Sequence, residues 1–550
     1  MIHPLDTTIS IIYIIIILVI GLWAGIKHKY KTSKNNEASE YFLAGKTLRW
    51  PMIGLALFAT NISCVHLVSL AQSGFDSGLL NGNFEWMAAF TLILLSLFFV
   101  PFYIKSGVTT LPDFLEKRYD RASRDWLAIV SVVSAIVIHI SFSLLAGGIV
   151  LQTLFGVDMY TSVIVIAIIT SIYTIVGGLR AVVVTESIQT VVLLGGAIIM
   201  TIASYHKIGG WQPMVDVLQQ HHQMEKLSMM RPHGDSSGLP WYAVFLGYPI
   251  LGIWYWCADQ TIVQRVLGAK DENHARIGPL FCGFIKILPV FIFVMPGLFA
   301  YALTQTGQLD ISALKTMDGG KEIINSKGIY TLMILQLIPK GLAGILVAAL
   351  LSGLMSQISG ALNSISTMAS YDIYQRYRPD VSDKKLVKAG KIAAGISLIF
   401  SLLLLPLLNS YESIFNGLND IIAHIAPPIT CVFLLGIFWG KASAKAAKLT
   451  LYTGSAAGVI IFIISKVYPI SLVGQIPFMM MAFYLFCFCV FLQVIFSYIF
   501  PVQHTAESAL LYWKSPWDSL SSKGWSGLGN YKLLSFLLIA VMCALFWFFR

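Results

Sequence analysis

At 550 residues, 57% hydrophobic and only 12% charged, the chain is far too apolar for a soluble globular protein, in which about a quarter of the residues are charged. Lipid must solvate it. The formal charge of +10 would suit a nucleic-acid partner, but the Lys and Arg residues are spread over many short loops without a basic stripe; membrane orientation accounts for them better.

Several apolar runs are long enough to cross a hydrocarbon core as helices, and they predict an all-α polytopic membrane protein with about 14 transmembrane helices. The first run, residues 8–26, has no Lys or Arg before it and a basic stretch after it (Lys27, Lys29, Lys31, Lys34, Lys46, Arg49). That is the reverse of a cleavable leader, so it reads as a retained span with its N-terminus outside. Counting alternate loops from there puts about 27 of the 37 Lys and Arg inside, and an even number of spans leaves Arg550 outside as well. All seven cysteines fall in apolar segments, so no disulfide or zinc framework is expected. The outer-loop histidines His221, His222 and His233 match no metal-ligand spacing. A phosphate-binding glycine loop and a His-Glu-x-x-His helix are both missing from the sequence, so neither an ATP motor nor an intramembrane enzyme is expected. Uphill work must then come from an ion gradient.

Polar groups inside the apolar runs carry the functional signal, since a charge or amide at mid-membrane is tolerated only where it faces a bundle interior or water. In the second span, Ala59-Thr60-Asn61-Ile62-Ser63-Cys64-Val65-His66 places poor helix formers mid-helix, which predicts an unwound turn whose freed carbonyls suit a cation. A continuous helix with Asn61 and His66 bonded to neighbours is the other reading. The third span opens Asn83-Phe84-Glu85-Trp86, where Glu85 either lines a cavity or sits solvated at the interface. The seventh ends Trp254-Tyr255-Trp256-Cys257-Ala258-Asp259-Gln260: aromatic faces beside amide and carboxylate groups suit a polyol, or form an interfacial belt. Lys286 lies about ten residues beyond Arg276, roughly 15 Å deep, too far to snorkel, so it should meet a cavity or a carboxylate. The ninth span carries Ser352, Gly353, Ser356, Gln357, Ser359 and Gly360, fitting close packing or an ion site equally. Glu186, Asn419 and Asp420 are further intramembrane candidates that also fit as helix-end residues. Together these groups imply one central aqueous cavity.

At these residues the chain resembles the sodium/solute symporter family, and within it the sodium/glucose cotransporter branch, over nearly its whole length. The resemblance is carried by Tyr41-Phe42-Leu43-Ala44-Gly45-Lys46, Ala59-Thr60-Asn61-Ile62-Ser63, Trp254-Tyr255-Trp256-Cys257 with Asp259-Gln260 and Val263-Gln264-Arg265, and Pro427-Pro428 followed by Val432-Phe433-Leu434-Leu435. It implies an inverted five-helix-repeat transporter core with broken helices, built from the second to the eleventh span. Residues 1–48 would hold an extra helix and a basic cytoplasmic loop, 49–440 the ten-helix core, and 441–550 the C-terminal extra helices.

The resemblance further implies sodium-coupled symport of a hexose-like sugar across the plasma or bacterial inner membrane by alternating access, with sodium as co-transported ligand and no cofactor. Another polar solute (inositol, sialic acid) or a sugar sensor or channel are the alternatives. Carried over by position, Asn61, His66, Glu85, Trp256, Lys286 and Asn419 would bind the sugar. Tyr255 would stack beneath it as the inner gate, and Leu70, Phe84 and Phe415 would form the outer gate. Sodium would take Ala59, Ile62, Gly353 and Ser356, with Gln357 standing where the family supplies a second hydroxyl. Glu186 is a candidate for ion or proton coupling. Gly252 stands where glucose transporters often have Thr, and Asn419 is one methylene shorter than the usual Gln.

Overall fold

The computed structural model describes residues 3–29, 37–235, 237, 239–318, 321–408, 414–468 and 474–550. Among these, eleven helices are long and apolar enough to cross a membrane. The number differs from the fourteen expected because some of the eleven are more than one pass. Met159–Ile208 has 50 residues, about 75 Å if straight, more than twice the hydrocarbon thickness. It breaks at Gly178 (φ 62°, ψ −160°), where a Cβ would stand 2.4 Å from the Tyr41 carbonyl. His66–Ser106 is likewise interrupted, at Gly78 (φ 72°). Residues 241–267 are not among the eleven, and they form one further pass broken at Asp259. Dividing the first two and adding the third brings the passes to fourteen among the described residues.

In chain order the elements that matter are α1 (Pro4–Lys29), α2 (Trp50–Asn61), α3 (Cys64–Ser77), α4 (Gly82–Leu94), α5 (Arg121–Ser134), α6 (Phe142–Phe155), α7 (Met159–Ile208), α8 (Trp241–Ile253), α9 (Gln260–Leu267), α10 (Glu272–Ile285), α11 (Leu342–Met368), α12 (Asp383–Leu403) and α13 (Ile414–Phe438). Three further helices, Ala444–Val467, Phe478–Ile499 and Tyr531–Phe548, follow. A short antiparallel hairpin, Lys315–Asp318 with Lys321–Ile324, sits in a loop outside the bundle's helices.

The second pass (α2–α3) and the seventh (α8–α9) are the broken ones, five passes apart, as an inverted five-helix repeat demands. In the first break Ile62 is extended (φ −80°, ψ 100°) and its N–H still donates to the Phe58 carbonyl at 2.9 Å. The unwound turn expected at Thr60–Ser63 therefore exists, beginning later than its first poor helix formers. In the second break Asp259 is extended and caps α9, accepting from Thr261 N at 2.6 Å. Helix α11 is the hub: all but two of its residues are buried, and it packs against α7, α1 and α12. Helix α1 docks on it through Asp6, whose Oδ1 accepts from the Gly341 and Gly344 N–H groups at 2.7 Å each, and through Tyr13, 2.5 Å from the Ser352 hydroxyl. The crossing of α3 with Met295–Gln305 is close enough that a Cβ on Gly297 would lie 1.9 Å from the Ala71 carbonyl.

Candidate functional site

The two breaks face a common cavity. Its atom-free space, open mouth included, is about 740 Å³. Asn61, His66, Phe84, Glu85, Tyr255, Trp256, Lys286, Gln357 and Asn419 all line it, so nine of the expected residues, drawn from several passes, converge there.

Its polar centre is built from three helix interruptions. Asn61 is the last residue of α2 before the break. Glu85 lies in the first turn of α4, where the free N–H groups and helix dipole favour a carboxylate. Lys286 caps the C-terminal end of α10. There the Lys286 ammonium donates to Asn61 Oδ1 and to Glu85 Oε2, with Lys286 1% and Glu85 2% exposed. The Trp256 ring lies 5.6 Å from the ammonium and the Phe58 ring 5.9 Å. The depth of Lys286 in its span called for either a cavity or a carboxylate, and it has both.

Around this centre, His66 Nδ1 accepts from Ser63 N at 3.2 Å, so a neutral ring carries its proton on Nε2. Phe84 stacks on Phe478 at 6.4 Å and meets Tyr248 edge-on at 5.9 Å. Tyr255 lies between Asn61 and Gln357, with its ring 5.3 Å from Trp256 and 5.8 Å from His139. A Cβ on Gly252 would stand 2.7 Å from Tyr248 and 2.8 Å from Thr91, so the Tyr248 ring takes the space a threonine would need.

The expected sodium residues gather at the first break. Ser356 on α11 donates to the Ala59 carbonyl at 2.8 Å and to the Gly353 carbonyl at 3.1 Å, beside the freed backbone of Ile62. Gln357 turns elsewhere: its Nε2 is 2.7 Å from His139 Nδ1, and His139 Nε2 is 2.8 Å from Asp259 Oδ2. Leu70 is buried on α3 but is not among the cavity's lining residues. Glu186 is also apart from the cavity, accepting from Arg265 Nη2 at 2.5 Å, Arg265 Nε at 3.3 Å and the Thr60 hydroxyl at 3.0 Å, with both charged residues fully buried. The Phe415 side chain lies outside what the structure describes.

Sequence reasoning missed His139. An imidazole between Val137, Ile138 and Ile140 is an intramembrane ionisable group of the kind that flagged Lys286, and that signal was available. Its role as a link between passes was not, because Gln357 and Asp259 are 218 and 120 residues away. Both His139 and Tyr255 sit in π-helical turns (Ala135–Ser141 and Trp254–Ala258), which swing side chains off the regular helical faces.

The sodium:solute symporter family model matches residues 41–454. Over 475 residues the chain is 34% identical to sodium/glucose cotransporter 1 of Ovis aries, covering 82% of this chain and 71% of that one. Sodium/glucose cotransporter 4 of Danio rerio is 31% identical over 489 residues, covering 86% and 73%. Among solved structures, the substrate-bound outward-open state of a Na+-coupled sialic acid symporter superposes with a TM-score of 0.77 at 23% identity, covering 92% of this chain and all of the other. That likeness is one of fold. With two broken helices five passes apart, a polar cavity between them and a family match over three quarters of its length, the chain belongs to the sodium:solute symporter family and is a multi-pass, sodium-coupled solute symporter.

Proposed function

We propose that the solute is a neutral, hexose-like sugar. The observation that carries this is the Asn61–Lys286–Glu85 cluster beside the Trp256 ring: a carboxylate to accept from hydroxyls, an ammonium and an amide to meet others, and an aromatic face for the apolar side of a pyranose. The relatives named as sodium/glucose cotransporters support it. An acidic solute such as sialic acid fits less well, because Lys286 is already paired with Glu85 and is not left over for a carboxylate.

In this reading residues 49–440 form the transport core and both chain ends lie outside, an orientation that the distribution of basic residues among the loops supports. Sodium is held by the carbonyls of Ala59, Ile62 and Gly353 and by the Ser356 hydroxyl. It ties the first break to α11, which favours the outward-open state in which sugar binds to Asn61, His66, Glu85, Trp256, Lys286 and Asn419. Phe84, with Leu70 and Phe415, closes above the sugar, and Tyr255 releases it below. Sodium and sugar drive the cycle only through their different affinities for the two states.

The deciding experiment is radiolabelled hexose uptake into sealed proteoliposomes with sodium, potassium or proton gradients imposed in turn. Accumulation above the outside concentration with sodium alone supports symport. Equilibration without accumulation points to a channel, and binding without entry to a sensor. A competition panel with inositol and sialic acid separates the cargo.

A further inference from the structure

Among the described residues lining the cavity, Gln357 Oε1 is the buried side-chain polar atom left without a hydrogen-bond partner. Gln357 is 5% exposed, and a buried carbonyl in that position calls for an occupant. Its orientation follows from the groups behind it. Asp259 Oδ1 is taken by Thr261 N, and its Oδ2 faces His139 Nε2 at 2.8 Å. In the tautomer that donates from Nε2 to this carboxylate, Nδ1 is an acceptor and takes the Gln357 Nε2 hydrogen at 2.7 Å. The amide nitrogen is thereby held, and the oxygen is the end left over.

The sodium residues lie in another direction. Ser356 and Gln357 are successive on α11 and leave it about 100° apart. Ser356 reaches the Ala59 carbonyl at the first break, whereas Gln357 reaches His139 on the fourth pass. We propose that Gln357 is a solute ligand rather than a sodium ligand: its Oε1 accepts a hydroxyl hydrogen of the solute, and His139 and Asp259 are positioning residues that hold the amide. This rests on the proposed sugar symport and deepens it. Glu85 and Lys286 belong to the third and eighth passes, Gln357 and His139 to the ninth and fourth, and Tyr255 lies between the two groups in one cavity. The solute it selects carries more than one hydroxyl donor, as a polyol ring does.

The test is equilibrium binding to purified protein in nanodiscs, using glucose, galactose and their monodeoxy analogues at saturating sodium, and sodium titration at saturating sugar. For Gln357→Leu the sugar should bind about tenfold more weakly, with half-saturating sodium unchanged to within about twofold. One monodeoxy analogue should bind wild type and Gln357→Leu equally, while the others keep their penalties. Gln357→Ser should behave as Gln357→Leu toward sugar, which keeps the test alive if the leucine variant does not fold. His139→Phe, which frees the amide, should give a smaller loss focused on the same hydroxyl. A tenfold rise in half-saturating sodium with every deoxy penalty intact would overturn the proposal and return Gln357 to the ion site. If wild type binds inositol but no hexose, the sugar reading fails, and deoxyinositols on the same variants still decide Gln357. If no hydroxylated solute binds, both readings fail.

Discussion

Replacing Glu85 by alanine removes the partner of a deeply buried ammonium. In the intact protein Lys286 donates to Glu85 and Asn61 and lies over the Trp256 and Phe58 rings at 5.6 and 5.9 Å. Those ring contacts are already made and provide no new compensation. Breaking a buried pair by deleting one member costs about 3–5 kcal/mol, because the other charge stays desolvated. Sugar binding loses in addition a charge-assisted hydrogen bond of about 1.5–3 kcal/mol, equivalent to roughly 10- to 150-fold in half-saturation. Glu85→Ala protein should therefore insert with a lowered melting temperature in detergent and fail to accumulate hexose under an inward sodium gradient. The double variant Glu85→Ala/Lys286→Met, which has no stranded charge, should regain thermal stability but not transport. Normal uptake with an unaltered half-saturation in Glu85→Ala would refute the assignment of the cavity's polar centre.

Other perturbations follow from the same geometry. Glu186→Gln leaves the fully buried Arg265 guanidinium without its carboxylate, so stability should fall by about 3–5 kcal/mol, visible in thermal unfolding before any transport measurement. Arg265→Lys keeps the charge but cannot donate two N–H groups to one carboxylate in the same planar fork, and should also be destabilised by the same measurement. Gly252→Thr drives a Cβ to within 2.7 Å of Tyr248; displacing that ring should weaken solute binding while leaving half-saturating sodium unchanged. Asp6→Ala frees two N–H groups at the start of α11 and should lower stability by about 1 kcal/mol, with transport kinetics per folded molecule preserved.

The membrane class, the pass count and the polar interruptions were legible in the sequence because lipid imposes a rule on every residue: apolar runs of spanning length, satisfied backbone, and polar groups only where they are sheltered. Asn61, Glu85, Lys286 and the aromatic run 254–256 stood out against that rule, and one cavity joins the first three with Tyr255 and Trp256. Their pairing was not legible. Nothing local says that the Lys286 ammonium meets Glu85, 201 positions earlier, rather than water, or that Glu186 is held by Arg265 and stands apart from the cavity. Gln357 illustrates the limit best. The family resemblance placed it with the sodium residues, where a second hydroxyl is usual, while the fold sets its amide nitrogen 2.7 Å from His139 Nδ1, an imidazole from a distant π-turn. Sequence alone determined which groups lipid could not tolerate unpaired; only the folded bundle decided their partners, because hydrogen bonding between passes depends on which helix faces meet.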